Sequence, residues 1–363
     1  MKILIMGFTK LKYMPYLQFY LNSIDEKNND IDILYWNRDL NEENIQEYKR
    51  YHLHEFKCFQ EDDVSKLSKI TSFIKYRKFA IKTMENNKYD KLIILHTLTG
   101  LVILDYLIKK YPNKYILDYR DSTYEENKIY KSLIGLLEKK SVVTFVSSDA
   151  FRKYLPVEDE NKIYTSHNIL LDSLKHGDDK VKYGIKSDKI RISFWGFIRH
   201  KDVNLKLIDA VSKDDRFELH YYGREQEIAK SLKKYVEDNK MNNIFFHGEY
   251  KPEDRYEFIK NTDIIHNIYD DTNMRLAMGN KYYDGIIFKI PQICLEGSYM
   301  GEMVKKAKIG MTIDFNDEYF LEDIMKYYKK IDFNTFFDNC NLELDSILHE
   351  FKLGGVIVND IFK

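Results

Sequence analysis

Residues 276–304 read LAMGNKYYDGIIFKIPQICLEGSYMGEMV, and this stretch decides the predicted fold. Residues 280–288 have the spacing of an amphipathic helix, and residues 291–295 are a short apolar run typical of a buried strand. A helix followed by such a strand, with Gly or polar breaks between them, is the alternation of a parallel sheet with crossover helices. We therefore expect an α/β sheet in this part of the chain.

The same alternation extends outward in both directions. We predict further strands in the second half at 190–195, 217–222, 244–246 and 264–268, with helices at 202–212 and 225–238 and a helix that begins at Pro252. In the first half we predict strands at 3–6, 31–36, 92–95, 114–118 and 142–146, with helices at 16–24, 66–82 and 99–110. The chain therefore has two series of α/β elements.

The two series are separated by a polar segment, residues 171–188, which contains Gly177 and Gly184. A length of 363 residues also exceeds one ordinary core. We expect two Rossmann-like domains, residues 1–172 and 173–342, that face each other across a cleft. In such sheets ligands bind beyond the carboxyl ends of the strands, so the residues that follow each strand are the candidates for a site.

Composition excludes several classes of protein. Lys plus Arg is 57 and Asp plus Glu is 58, and this balance argues against a general nucleic-acid binder. Cys58, Cys294 and Cys340 are widely spaced and form neither a disulfide framework nor a zinc signature. The N-terminus lacks the pattern of a secretory signal, and the most apolar stretch, residues 92–108, contains too many polar groups for a spanning helix. We expect a cytoplasmic protein, in contact with the cytoplasmic face of a membrane.

Motifs for other cofactors are missing from the sequence. Asp30-Ile31-Asp32 resembles an Asp-x-Asp metal motif, but it precedes a strand instead of following one. Gly7 ends the first strand without a Gly-x-Gly-x-x-Gly pattern, and the sequence contains no Walker loop. We expect no bound metal and no nicotinamide cofactor.

The stretch that opened this section also predicts an anion site. Gly279 precedes a helix, so the amides of Asn280, Lys281 and Tyr282 are expected to be free to hold an anion. Asn280 and Asp284 are four residues apart and share one helix face, where a carboxylate could grip a ribose diol. The alternative interpretation is an ordinary loop and helix with polar residues at the surface.

These residues resemble the donor-sugar half of the GT-B glycosyltransferases, especially the large retaining family four, which includes capsule and exopolysaccharide enzymes. In that pattern Asp284, seven residues before Pro291, replaces the second of two conserved glutamates and would hold the ribose. Gly279 matches the family glycine, Asn280-Lys281 fits a common subgroup, and Glu302-Met303-Val304 matches a later Glu-x-Val that lines the donor site. The first glutamate is replaced by Leu276, which leaves retention or inversion of the anomeric configuration open.

A second match covers residues 194–201, which read FWGFIRHK. The resemblance implies that this is the first strand and loop of the donor domain, where Arg199 and then Lys201 would meet the diphosphate, with Lys206 a further choice. Departure of a nucleoside diphosphate develops negative charge, which fixed cations and amides stabilise. The alternative is that these are solvated charges after a strand.

The first half of the chain gives weaker matches. In the resembling family, the loop at Gly7 approaches the diphosphate and the acceptor. The strand that ends at His96 resembles one whose histidine contacts the reacting sugar, and Asp121 is an alternative base. Asp118 and Arg120 follow the next strand and are candidates for the acceptor side. A structural histidine at position 96 is the alternative.

The resemblance implies a GT-B fold with a last helix, residues 343–363, that crosses back to the first domain. It implies a metal-independent glycosyltransferase that moves a sugar from a nucleoside-diphosphate sugar to a lipid-linked glycan of the cell surface. Residues Lys66–Lys82 interleave basic and apolar side chains, a pattern suited to an anionic membrane surface or to a helix packed by its apolar side. The alternatives are a nucleotide-sugar 2-epimerase and a non-catalytic nucleotide-sugar-binding partner.

Overall fold

The computed structural model describes residues 1–60, 66–156, 161–177 and 188–363. The chain forms two compact units. The first unit is Met1–His167 with His349–Lys363, and the second is Asn168–Leu348. The two units divide after His167, whereas the sequence predicts the domain boundary after residue 172. Residues 178–187 of the predicted connecting segment lie outside the described residues.

The first unit is built on a sheet of seven parallel strands in the order β3-β2-β1-β4-β5-β6-β7. The first strand is buried on both faces, since Ile3, Leu4, Ile5 and Met6 are all fully inaccessible. Such continuous apolar runs are typical of parallel sheets covered on both sides. The strands are β1 Lys2–Met6, β2 Asp30–Asn37, β3 His52–Lys57, β4 Lys91–Leu95, β5 Tyr115–Tyr119, β6 Val143–Val146 and β7 Ile163–Thr165.

Helices cover this sheet, and one sequence-based expectation about them is wrong. The single helix expected at 99–110 is two helices that meet at Ile103, which leaves the helical conformation with φ of −121° and buries its side chain completely. The helices of the first unit are α1 Leu17–Ser23, α2 Lys66–Asn87, α3 Thr97–Val102, α4 Leu104–Lys110 and α5 Lys128–Lys139.

The end of the last helix, α12 (Phe333–Ile361), packs on the first unit. A Cβ at Gly354 would lie 3.1 Å from the Phe19 ring and 3.2 Å from the Phe145 ring, so this helix approaches the core closely. Val358 is fully buried in the same apolar cluster. The sequence predicts that residues 343–363 return to the first domain, and in the structure His349–Lys363 belong to the first unit.

The second unit is a sheet of six parallel strands in the order β10-β9-β8-β11-β12-β13. Its strands are β8 Ile190–Trp195, β9 Phe217–Tyr222, β10 Ile244–Gly248, β11 Ile264–Asn267, β12 Gln292–Leu295 and β13 Gly310–Ile313. Its helices, apart from the first part of α12, are α6 Lys201–Val211, α7 Glu227–Asp238, α8 Arg255–Ile259, α9 Asn280–Ile287, α10 Tyr299–Lys306 and α11 Phe320–Lys330.

The strand order reverses direction once in each sheet. In the first sheet the reversal lies between β1 and β4, and in the second it lies between β8 and β11. Ligands of doubly wound sheets bind at such points, beyond the carboxyl ends of the strands. The loops that begin at Gly7 and His96, and those that begin at Gly196 and after Asn267, occupy these positions.

Candidate functional site

The loop after β8 is held in a fixed path by two glycines. Gly196, directly after the strand, has φ of +111°, a conformation that glycine adopts without strain. Gly223, directly after β9, lies against it, since a Cβ at Gly223 would be 2.0 Å from the Gly196 carbonyl oxygen. The tight approach of the two backbones sets where the following residues, up to Lys201, emerge.

Arg199 lies in this loop and is exposed to solvent, with its guanidinium 4.6 Å from the centroid of the Phe197 ring. Within the described ranges, no carboxylate forms an ion pair with it. Lys201 is exposed and begins α6, and Lys206 is exposed further along that helix. Cations without acidic partners beside a helix N-terminus form a favourable environment for an anion.

The start of α9 offers two of the three amides that the sequence suggested. Gly279 is the N-cap residue and supplies no side-chain cap. The N–H of Tyr282 donates to the Gly279 carbonyl over 3.0 Å, so the expectation of a free amide at Tyr282 is wrong. The N–H groups of Asn280 and Lys281 have no hydrogen-bond partner among the residues that the structure describes. Asn280 itself is exposed.

Lys281 is buried, with only 8% of the residue exposed. Its Nζ donates to the carbonyl oxygen of Trp195 over 3.0 Å and lies 4.1 Å from the centroid of the Phe194 ring and 5.1 Å from that of Tyr269. Burial lowers the pKa of Lys281 to about 7; nearby Asp284 opposes this shift and nearby Arg199 adds to it. The sequence predicts that Lys281 belongs to the site, but not that its side chain faces inward.

Asp284 is also buried, at 4% exposure. One carboxylate oxygen accepts a hydrogen bond from the indole N–H of Trp195 at 2.8 Å, and the other lies 3.4 Å from the Arg255 guanidinium. Burial raises the pKa of the Asp284 carboxyl, against the opposing effects of Arg255, Trp195 and Lys281. The side chain thus reaches inward from the helix face where Asn280 is exposed.

Two other residues of the predicted donor site differ in character. Glu302 is exposed in the first turn of α10, a position where the helix dipole favours a carboxylate, and it has no side-chain partner in the described part of the chain. Leu276 is half-buried and brings no polar side chain to the position where the resembling family has its first glutamate.

In the first unit, His96 directly follows β4 and has φ of +73°, which is unusual for a residue other than glycine. Its Nδ1 accepts a hydrogen bond from the N–H of Leu98 at 3.2 Å, and its ring packs edge-on against Phe8. Because Nδ1 is the acceptor, the proton of the neutral ring is assigned to Nε2. Burial lowers the pKa of His96, while the Asp121 and Asp118 carboxylates oppose that shift.

Asp121 is exposed, and its carboxylate lies 3.9 Å from the Nε2 of His96, so the structure brings these two candidates together. Asp118 is instead fully buried and accepts hydrogen bonds from the Tyr20 hydroxyl at 2.6 Å and from the Arg120 guanidinium at 2.9 Å. Arg120 is 4% exposed. This pair is part of the core beneath the loop.

Gly7 directly follows β1, and both its backbone N–H and its carbonyl are hydrogen-bonded within the protein. Its N–H donates to the Leu34 carbonyl at 2.9 Å, and its carbonyl accepts from the Tyr76 hydroxyl at 2.8 Å. A Cβ at Gly7 would lie 2.2 Å from the Met14 sulfur, so the glycine makes room for the Met14 side chain, and its amide is not free for a ligand.

Helix α2 carries the basic segment Lys66–Lys82. It buries Tyr76, Ala80 and Met84 against the sheet. Ile70 and Ile74 are 53% and 49% exposed, and exposed lysines follow along the same helix at positions 75, 78 and 82. The side chains of residues 66–68 lie outside the description. An apolar pair within a basic surface therefore faces solvent.

Across the described ranges, no group of three or more His, Cys, Asp or Glu side chains has an arrangement that could hold a metal ion. Among the same residues, no helix has both the length and the apolar character needed to cross a bilayer.

No protein-family model and no curated protein matches the chain. Solved structures match it over its whole length. Sucrose-phosphate synthase from Thermosynechococcus elongatus is 11% identical with a TM-score of 0.73 over 99% of both chains. The fold is GT-B. The GT-B protein HepE from Anabaena, in complex with UDP, is 12% identical with a TM-score of 0.67 over 97% of this chain and 98% of that one.

A third solved structure has a different activity in its name. The UDP-GlcNAc 2-epimerase from Neisseria meningitidis, bound to UDP-GlcNAc, is 13% identical with a TM-score of 0.54 over 96% of this chain and 100% of the other. These likenesses confirm the predicted α/β fold of two Rossmann-like units. At such identities they establish the GT-B fold alone.

Sequence reasoning missed several residues of the candidate site. Arg255 and Trp195 contact Asp284, and they lie 29 and 89 residues away from it in the chain. His200 caps the start of α6 in a left-handed conformation and places Nε2 3.5 Å from Asp271. A left-handed residue other than glycine before a helix has no reliable sequence signal, and the distant partners emerge only from the strand order.

Proposed function

We propose that this GT-B protein is a glycosyltransferase that moves a sugar from a nucleoside-diphosphate sugar to a lipid-linked glycan. The observation that carries the proposal is the exposed Arg199 guanidinium, which has no acidic partner among the described residues and stands after β8, at the reversal of the strand order. The complex of HepE with UDP supports it, because that structure shares the fold.

The diphosphate would bind where positive charge is concentrated in the second unit. Arg199 and Lys201 would neutralise it, together with the free amides of Asn280 and Lys281. Each such contact can contribute about 2 kcal/mol or more when it strengthens as the leaving group develops charge. The sugar transfer would then need no divalent metal ion, since these cationic side chains would neutralise the diphosphate in its place.

Asp284 and Glu302 would line the donor pocket. A carboxylate has about four acceptor positions, and the contacts to Trp195 and Arg255 occupy part of that capacity. The acceptor positions of Asp284 that stay open could accept hydrogen bonds from the hydroxyls of a ribose. Glu302, exposed and without a partner within the described residues, would face the donor from the start of α10.

His96 would contact the reacting sugar as a hydrogen-bond donor. Its Nδ1 lone pair is engaged by Leu98, so the neutral ring presents Nε2–H. A proton-accepting role would then pass to Asp121, whose carboxylate lies 3.9 Å from that nitrogen.

Helix α2 would hold the enzyme at the cytoplasmic face of an anionic membrane, where its lipid-linked acceptor lies. The exposed Ile70 and Ile74 would enter the interface and the neighbouring lysines would contribute about 1 kcal/mol each at an anionic surface. Sedimentation with phosphatidylglycerol vesicles should exceed that with phosphatidylcholine vesicles, and the double variant I70E/I74E should lose most of it. Equal sedimentation with both lipids would exclude an anionic membrane as partner.

A thermal-shift panel of UDP, GDP, TDP and CMP, with and without EDTA, tests the donor site. We expect stabilisation by one nucleoside diphosphate that persists in EDTA. Stabilisation by none of the four would overturn the proposed donor site.

The second candidate is a nucleotide-sugar 2-epimerase, which the likeness to the Neisseria meningitidis enzyme favours. Incubation with UDP-GlcNAc alone distinguishes the two, because an epimerase forms an epimer without any acceptor. Nucleotide binding without turnover on acceptors or epimerisation would instead indicate a non-catalytic binding partner.

A further inference from the structure

Two side chains of helix α9 form hydrogen bonds to Trp195. The Lys281 side chain donates to the Trp195 carbonyl oxygen, and Asp284 accepts from the Trp195 indole N–H. Trp195 is the last residue of β8, and the next residue, Gly196, begins the loop that carries Arg199. The orientation of that loop therefore depends on two side chains of α9 that lie one helical turn apart.

Lys281 makes this contact from an unusual environment for an ammonium group. Its Nζ is enclosed by the Phe194 and Tyr269 rings, at 4.1 and 5.1 Å from their centroids, and the Trp195 carbonyl is its hydrogen-bond acceptor. No carboxylate lies within ion-pair distance of it among the residues that the structure describes. Aromatic faces and one carbonyl compensate a buried charge only in part.

The charged and titratable groups around Lys281 come from four elements. Asp284 on its own helix favours the charged ammonium, and Arg199 from the loop after β8 disfavours it. His200 at the start of α6 and His266 on β11 have pKa values that burial lowers and that the Lys281 charge lowers further. The Tyr269 hydroxyl follows β11 and has its pKa raised by burial.

An anion beside Arg199 would change this balance. It would compensate the guanidinium, add its own attraction for the ammonium, and so favour protonation of Lys281. Because burial, with the smaller opposing effects of Asp284 and Arg199, brings the pKa of Lys281 to about 7, the neutral amine is well populated above neutral pH before the anion arrives. Neutral Lys281 still donates a hydrogen bond to Trp195, so the loop keeps its anchor in both states.

Resting on the proposed donor site, we propose that Lys281 is a positioning residue whose amine takes up one proton when a nucleoside diphosphate binds beside Arg199. The proton comes from solvent and adds to the Nζ lone pair, and no bond to the ligand forms. The charged ammonium then holds the Trp195–Gly196 turn more firmly under the diphosphate. Binding of the donor leaving group is thereby coupled to pH through a residue that does not touch the sugar.

The sign of the coupling follows from linkage. Uptake is small below pH 6, where Lys281 is already charged, and rises towards about one proton per ligand at pH 8. Between these values the affinity should fall as pH increases. A nucleoside diphosphate has its own last ionisation near pH 6, so it contributes little uptake at pH 8.

Calorimetric titration of UDP, GDP and TDP into the full chain at pH 8, in two buffers of different ionisation enthalpy, tests the proposal. The wild type should show buffer-dependent binding enthalpies equivalent to about 0.5–1 proton taken up per ligand. The variant K281M should lose the uptake and bind at least fivefold more weakly. The variant K281R should recover affinity without recovering uptake, because arginine stays charged.

The matched control is K213M, which removes an exposed ammonium just after α6 and should keep the uptake. Binding by the wild type without uptake at pH 8 would overturn the role of Lys281 and leave the donor site intact, whether or not the variants fold. Uptake that persists in K281M would assign the proton to another group, His200 first, and would equally overturn it. Failure of all three nucleotides to bind would overturn the donor site and this inference together.

Discussion

The indole N–H of Trp195 donates to the carboxylate of Asp284 at 2.8 Å, and this hydrogen bond joins the end of β8 to the middle of α9. Both residues are buried, Trp195 at 3% exposure and Asp284 at 4%. A carboxylate in that position depends on its partners, since burial raises its pKa and the contacts to Arg255 and Trp195 hold it down. The predicted diphosphate loop and the predicted ribose helix are thus parts of one hydrogen-bonded assembly.

Replacing Trp195 by phenylalanine should therefore destabilise the second unit. The substitution keeps an aromatic ring but removes the 2.8 Å hydrogen bond to a buried carboxylate oxygen, whose other donor, Arg255, lies at 3.5 Å, at a cost of about 1–3 kcal/mol. Urea unfolding at pH 7 measures the change. The double variant W195F/D284N serves as the control and should recover part of the loss, because a neutral amide is less costly to leave unpaired. A free energy of unfolding unchanged in W195F would show that the bond contributes nothing.

The buried His266 should make the protein less stable in acid. Burial lowers its pKa to about 3, and the neutral ring bonds to Asn204 through Nε2 and to the Ile268 N–H through Nδ1. The folded state therefore rejects a proton that the unfolded state accepts below about pH 6.5. The contribution of His266 to the free energy of unfolding is therefore fully present above pH 6.5. It is lost as pH falls below that value, by about 1.4 kcal/mol per pH unit.

Unfolding free energies of wild type and H266Q at pH 5, 6 and 7 check this expectation. The difference between the two proteins should shrink as pH falls, because only the wild type loses the His266 contribution. Parallel pH curves would mean that His266 is not the titrating group.

His96 should tolerate asparagine for folding but not for turnover. Asparagine adopts positive φ more readily than most residues, and its side-chain oxygen can replace Nδ1 as the acceptor for the Leu98 N–H. It has no donor at the place of Nε2–H. We expect H96N to stay within about 1 kcal/mol of wild type in stability and to lose at least 10²-fold in sugar transfer.

The comparison for this position is H96A, which should lose stability as well, because alanine lacks both the acceptor and the tolerance for φ of +73°. An H96N enzyme with unchanged turnover would remove the imidazole from the reaction.

Two glycines of the second unit should differ strongly in how much stability they lose when replaced by alanine. A Cβ at Gly223 would lie 2.0 Å from the backbone oxygen of Gly196, so G223A must displace the loop that carries Arg199. A Cβ at Gly279 would meet the Met300 sulfur at an ordinary 3.5 Å. We expect G223A to lose several degrees of melting temperature and most nucleotide affinity, and G279A to cost at most about 1 kcal/mol. Similar losses in both variants would contradict the role assigned to the Gly196–Gly223 contact.

How far the sequence predicts this protein depends on whether the signal is local. The runs 190–195 and 217–222 coincide with β8 and β9, because apolar strands that end at a glycine carry their own signal. The strand β3, His52–Lys57, was not predicted, since this edge strand reads HLHEFK and has only two apolar residues, Leu53 and Phe56. The break at Ile103 was missed because the helical spacing continues through it.

The candidate site likewise combines residues that have a local sequence signal with residues that have none. Local patterns predict Arg199, Lys281 and Asp284 as candidates, since Arg199 follows a strand, Lys281 lies at the start of a helix, and Asp284 lies one turn further along that helix. The inward orientation of the last two was not predictable, because it depends on Trp195 and Arg255 from distant parts of the chain. Conversely, Asp118 lies near the end of β5 and Arg120 directly follows it, as functional residues often do, yet they pair with each other in the core.

Nucleoside-diphosphate binding at Arg199 is the central claim, and calorimetry of UDP, GDP and TDP with wild type, R199A and the exposed control K213A at pH 7 measures it most directly. We predict that one of the three binds wild type and K213A alike and binds R199A at least tenfold more weakly, which corresponds to about 1.4 kcal/mol or more. Binding of equal strength to R199A, or no binding of any of the three to the wild type, would contradict the account.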